Sequence, residues 1–151
     1  MGGLFVLSHL LDHPHLVSTA ILSGPALNAG HSTGSFQKTM VHILGGIFPF
    51  VTRDHDIPSQ AICSVEEVVA RYVADPLVHR RLSFGLIKAI LEEGHRVRSS
   101  VGSFHPQLAL LLLHGAEDRI ALPEDTQAFA RQLPCEDVEI LIYGDYNHYL
   151  T

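Results

Sequence analysis

The run QLALLLLHG, residues 107–115, is the most apolar stretch of the chain and leads directly into Ala116, Glu117, Asp118 and Arg119. Pro106 stands before it and Gly115 ends it, so its length suits a strand buried inside a sheet. Such a strand needs neighbours, and two more segments have the composition to supply them. VSTAILS, Val17 to Ser23, is β-branched and apolar and is stopped by Gly24-Pro25; it suits a strand covered on both faces. VEILIY, Val138 to Tyr143, is the last strand signal.

The segments between them are helical. Gly3 to Leu11 reads as a helix ended by Asp12-His13-Pro14, because the residue before a proline avoids the helical region. Pro123 to Leu133 reads as another, with Pro at its start and Glu124 and Asp125 in its first turn. Strand, helical insertion, strand, helix, strand is the order of an α/β fold with a parallel sheet and helices on its faces.

The insertion is less regular. Residues 26–60 carry Gly, Pro, Ser and Thr around the apolar run MVHILGGIFPFV, Met40 to Val51, and show no clean period. Ser64 with Glu67 three residues later gives a capping box before VVARYVADP, a helix stopping near Asp75-Pro76. LVHRRLSFGLIKAILEEG gives a second helix, with Leu82, Leu86, Ile87, Ile90 and Leu91 on one face and Gly94 as its stop.

Composition narrows the function. The chain has 151 residues, 46% apolar and 17% charged, with a net charge of −6. That is a globular balance, and it lacks the basic excess that a nucleic-acid partner requires. Cys63 and Cys135 form no paired spacing, which fits a reducing, cytoplasmic setting. No apolar run approaches the ~18 residues of a membrane span, and the opening residues lack the basic region of a signal peptide. Among the 11 histidines, His9 and His13 lie four apart with His15 near. Pro14 interrupts that helix and no acid or Cys completes four ligands, so no metal is expected.

In an open α/β sheet the working groups collect past the C-terminal ends of the strands. Asp118 follows one strand and His148, in GDYNHYLT, follows the next. An acid and a histidine so placed form the orienting pair of a nucleophilic triad. Read singly, the Asp is a turn former and the His a polar surface residue.

Five segments, in order, resemble the monoacylglycerol lipase and lysophospholipase branch of the α/β-hydrolases, a group that includes serine aminopeptidase-type enzymes. They are MGG at the start, VSTAILSGPAL, YVADPLVHRRLSFGLIKAI, LLLLHGAEDRIALPEDTQAFARQL and IYGDYNHYLT. The acid loop, His-Gly-x-x-Asp, is the most specific of them. The resemblance implies that the chain is the C-terminal portion of such a fold. Residues 1–27 and 101–151 would form part of the core, and residues 28–100 a helical cap. Met-Gly-Gly resembles the end of the family's nucleophile elbow, which places the serine just before Met1 and outside the chain. Its glycines would allow strand and helix to approach closely. The first five strands of the sheet would also be absent, which leaves Val17 to Ser23 with an exposed edge. The alternative is a complete small protein that never had the serine.

The resemblance further implies hydrolysis of a small-molecule acyl ester, such as a monoacylglycerol or lysophospholipid, with no cofactor. Asp118 would orient His148, His148 would be the general base, and the backbone N–H of Met1 would be an oxyanion donor. Ser8 and Ser23 lie in no G-x-S-x-G elbow, so the chain alone is expected to be inactive. Ile43, Leu44, Ile47, Phe48 and Phe50 are candidates for an acyl-tunnel wall or a membrane-touching lid, with packing of the cap onto the core as the plainer reading. Two residues depart from the family pattern: Asn147 lengthens the Gly-to-His spacing, and Tyr149 stands where an acid is common. His114 lies on the strand side of the acid motif and is passed over. Rival functions are another α/β-hydrolase reaction (peptide, thioester or epoxide cleavage), a non-catalytic binder of a hydrophobic ligand, and a histidine-rich metal binder.

Overall fold

The computed structural model describes residues 1–29, 34–55 and 57–150. Helix α1 (Gly2–Asp12) comes first, its Leu4, Leu7 and Leu10 fully buried at a spacing of three. Each such leucine contributes about 2 kcal/mol of burial. Strand β1 (Thr19–Ser23) follows. Then come helix α2 (Ser35–Ile47), strand β2 (Thr52–Asp54), helix α3 (Glu66–Ala74), strand β3 (Arg81–Ser83) and helix α4 (Phe84–Ser99). The chain closes with strand β4 (Ala109–Gly115), helix α5 (Pro123–Ala130) and strand β5 (Asp137–Tyr143).

β1, β4 and β5 form a parallel sheet in that order, with Leu22 opposite Leu112 and Leu112 opposite Ile140. These residues share one face, and on it they cluster with the α1 leucines, Val97 of α4 and Phe129 of α5. Phe104 closes the cluster edge-on against Phe129, with ring centroids 5.6 Å apart. The opposite face is not covered in the same way. Ile21, which sits on it, is 64% exposed, and Leu141 and Tyr143 are also exposed. The expectation that the first strand is covered on both faces is therefore not met among the described residues. Strand alternation, buried then open, is what a sheet with helices on one side produces.

The insertion is more ordered than its composition suggests. α2 occupies Ser35–Ile47 where an irregular segment is expected, and its apolar positions Phe36, Met40, Ile43 and Ile47 do fall at helical spacing. The stripe starts ahead of Met40, so a window opened there straddles the helix end. β2 and β3 pair antiparallel, which no sequence signal announces. Ser64 does not cap α3: Val65 is the N-cap, and the Ser64 hydroxyl donates to Asp145 O instead. The second helix begins at Phe84, where Ser83 Oγ accepts from Leu86 N. It runs five residues past Gly94, so Gly94 is no stop. That glycine is buried, and a Cβ there would lie 2.6 Å from Leu27 O. α4 thus begins against α2 and ends in the core. Its Arg96 side chain clamps α1, reaching Asp12 Oδ1 at 2.9 Å and Ser8 Oγ at 2.7 Å, and Arg98 donates to the carbonyl of Leu27.

Candidate active site

β4 and β5 end side by side, and their following loops meet. Ala116 N donates to Tyr143 O, and Glu117 N donates to Tyr146 O. This brings Asp118 and His148 together, 30 residues apart in sequence, with His148 Nδ1 2.7 Å from Asp118 Oδ2. The other carboxylate oxygen, Oδ1, accepts from Ile120 N at 2.8 Å and Ala121 N at 3.0 Å. A short acidic side chain is suited to this, because it bonds backbone amides two and three residues on. Oδ2 also lies 3.1 Å from Nε2 of His114.

The Asp118 side chain is fully buried and that of His148 is about one-fifth exposed. Burial pushes the Asp118 carboxyl upward, but the hydrogen bonds from His114, His148 and Ala121 N, with the field of His148, outweigh it. The net effect holds this carboxyl well below the usual carboxylate range. The acid is thus ionised, and His148 must present Nδ1–H to it. That leaves Nε2 of His148 as the lone-pair nitrogen, and among the described residues no hydrogen bond engages it.

The neighbouring parallel strand shapes the same place. Gly24, just past β1, has φ +50°, and a Cβ there would lie 3.1 Å from His148 Cε1 and 3.6 Å from Asp118 Oδ2. Only glycine suits that conformation and that space together. Gly3 also has the close approach expected of it, with Pro25 Cβ 3.1 Å from a Cβ built there, whereas Gly2 faces open space. Met1 is the N-cap of α1, directly ahead of these glycines.

Residues 60–72 hold the histidine loop. Asn147 Nδ2 donates to Gln60 O at 2.9 Å, and Tyr149 N donates to Ile62 O at 2.8 Å. The Tyr149 ring stacks on His148 with centroids 6.2 Å apart and meets Tyr72 of α3 edge-on. Asn147 and Tyr149, with Asp145, whose carbonyl accepts from Ser64, therefore tie this loop to residues 60–64. A cleft of about 720 Å³ opens beside it, lined by Ile57, Gln60, Ser64, Glu117, Arg119 and Asn147 among others.

The remaining candidates lie elsewhere. Ile43, Ile47, Phe48 and Phe50 are exposed and Leu44 is half-buried; none lines this cleft. Ser8 is engaged by Arg96, and Ser23 makes no hydrogen bond to His148 among the described residues. The rings of His9 and His13 stand 4.6 Å apart, yet no group of three potential metal ligands occurs among the described residues. No described helix is long and apolar enough to cross a membrane. Sequence reasoning missed His114 and Gly24. The signal for Gly24 was its place right after a strand beside the acid-bearing strand; for His114 it was a histidine four residues before the acid.

The family described as serine aminopeptidase, S33, matches residues 1–151. A monoacylglycerol lipase of Mycolicibacterium smegmatis is 28% identical over 149 residues, which are 98% of this chain and 52% of that protein. The solved structure of a monoacylglycerol lipase from Paleococcus ferrophilus superposes with a TM-score of 0.91 at 26% identity, covering 98% of this chain and 57% of that one. A soluble variant of the monoglyceride lipase of Saccharomyces cerevisiae shares the fold, with a TM-score of 0.84 at 22% identity, over 98% of this chain and 54% of its own. The chain thus spans about half the length of these relatives. With the parallel sheet, the acid and histidine loops and the full-length family match in agreement, the chain belongs to the serine aminopeptidase (S33) family of α/β-hydrolases, in its monoacylglycerol lipase-like branch.

Proposed function

We propose that residues 1–151 supply the acid and histidine of a serine ester hydrolase acting on monoacylglycerols, lysophospholipids or similar acyl esters, within a longer polypeptide whose nucleophilic serine precedes Met1. The observation that carries this reading is the 2.7 Å contact between a buried, ionised Asp118 and His148 Nδ1, which leaves Nε2 to act as base. In this mechanism the serine hydroxyl attacks the ester carbonyl while His148 Nε2 takes its proton. His148 then returns the proton to the leaving alcohol, and water repeats the sequence to release the fatty acid. Asp118 holds the Nδ1–H tautomer and stabilises the cationic ring. The N–H of Met1, at the start of α1, donates to the developing oxyanion, a contribution of about 3 kcal/mol in comparable sites.

The exposed apolar positions Ile43, Ile47, Phe48 and Phe50 support a cap that meets the acyl chain or a lipid surface. The test is hydrolysis of a short-chain p-nitrophenyl ester and of a monoacylglycerol by the polypeptide carrying the coding sequence upstream of Met1. His148→Ala is expected to lower kcat by about 10⁴-fold or more, and residues 1–151 alone to show no turnover. Full activity in His148→Ala would overturn the proposal. A folded longer polypeptide that binds acyl chains without cleaving them would point to the hydrophobic-ligand binder instead.

A further inference from the structure

His114 is fully buried near the end of β4, and both of its ring nitrogens are engaged. Nε2 lies 2.7 Å from Ala121 O and 3.1 Å from Asp118 Oδ2. A carbonyl and an ionised carboxylate only accept, so Nε2 carries a hydrogen. Nδ1 lies 3.1 Å from Oγ1 of Thr126, also buried, whose hydroxyl donates to it when the ring is neutral. Oδ2 of Asp118 is therefore shared by two imidazoles, His114 through Nε2–H and His148 through Nδ1–H.

We propose that His114 is a positioning residue for the pair: its Nε2–H, fixed in that tautomer by Ala121 O and Thr126, sets the rotation of the Asp118 carboxylate so that Oδ2 meets His148 Nδ1. A carboxylate turns easily about its last bond, whose rotamer preference is broad. The two backbone amides on Oδ1 restrain that turn, and the small rotations they still permit carry Oδ2 toward or away from His148 Nδ1. A rigid, buried donor on Oδ2 removes that freedom. A residue there only to fill space would need neither a ring nitrogen at Asp118 nor a hydroxyl on the far side of the ring. The inference rests on reading Asp118 and His148 as a working pair.

Its test needs no turnover, so it fails or stands separately from the proposed activity. Long-range ¹H–¹⁵N spectra of the imidazoles, recorded on the labelled polypeptide that carries the coding sequence upstream of Met1, at about pH 8.5 where histidine is ordinarily neutral, report which nitrogen of each ring bears hydrogen. The unmodified chain is expected to show His114 as Nε2–H and His148 as Nδ1–H. His114→Gln keeps an amide N–H at the reach of Nε2 and is expected to leave His148 as it was. His114→Leu removes the donor, and the Nδ1–H population of His148 is expected to fall by about twofold or more toward a mixture of tautomers, with the far-UV spectrum unchanged. A folded His114→Leu whose His148 keeps its tautomer and shifts would overturn the proposal. So would a His114 found as Nδ1–H in the unmodified chain, a result that does not depend on any variant folding.

Discussion

Asp118 accepts four hydrogen bonds, two from backbone amides and two from histidines, and this makes it the most constrained polar group of the site. Asp118→Asn keeps the shape but turns an amide donor toward groups that are themselves donors. We expect a loss of about 2–4 kcal/mol at pH 7, read by urea denaturation. Because the folded carboxyl titrates below its unfolded value of about 3.9, the unfolded chain binds more protons through that range. Asp118 therefore contributes its full stability above about pH 5 and loses it as pH falls below about 4 toward the folded value. The gap between the two proteins should narrow at pH 3.5; a constant gap would mean the carboxylate charge is not what its partners recognise. Gly24 offers a second residue-scale check. Gly24→Ala places a Cβ against His148 at a positive φ, so it should cost about 1–2 kcal/mol and shift the His148 ring resonances. Unchanged resonances would mean that β1 does not shape the site. Asp118 and His148 were legible in the sequence because each follows a strand. His114 was not, since it ends an apolar run and its role depends on Thr126 and Asp118, which only the folded loop places beside it.

At the scale of elements, the close contact of α4 with the turn after β1 decides the sign of two glycine substitutions. Helix propensity favours alanine over glycine by about 1 kcal/mol. At Gly94 the new Cβ would stand 2.6 Å from the backbone oxygen of Leu27, the same oxygen that Arg98 binds, so overpacking should win and Gly94→Ala should lower the Tm. At Gly46 of α2 only Lys88 Nζ comes within reach among the described residues, at 3.9 Å, so Gly46→Ala should hold or raise it. Thermal unfolding of both variants checks the contrast, and a stabilising Gly94→Ala would contradict the packing of α4 on Leu27. The same contact explains why α4 was misjudged from sequence: a glycine that reads as a helix stop is here a helix interior where backbone meets backbone. α1, β1, β4, α5 and β5 were legible because each buries one apolar set against one core. α2 was not, because its stripe of Phe36, Met40, Ile43 and Ile47 faces outward and its start lies outside the apolar run. β2 and β3, three residues each, are too short to carry a period.

For the whole molecule, α1, α4 and α5 cover one face of the sheet while Ile21, Leu141 and Tyr143 stay exposed on the other, and β1 pairs with β4 alone among the described strands. An apolar face and an unpaired edge of this kind bind hydrophobic dyes and promote self-association. Residues 1–151 expressed alone should enhance anilinonaphthalene sulfonate fluorescence more strongly than the longer polypeptide does; equal signals would mean that the open face is not covered in the longer chain. Asp118 and His148 are proposed to serve a serine preceding Met1. The most direct test is to label the polypeptide, expressed with the coding sequence upstream of Met1, with a fluorophosphonate and to map the modified residue by mass spectrometry. One adduct is expected, on a serine immediately before Met1, strongly reduced in His148→Ala. A stop codon just upstream, an adduct elsewhere, or labelling indifferent to His148 would contradict it.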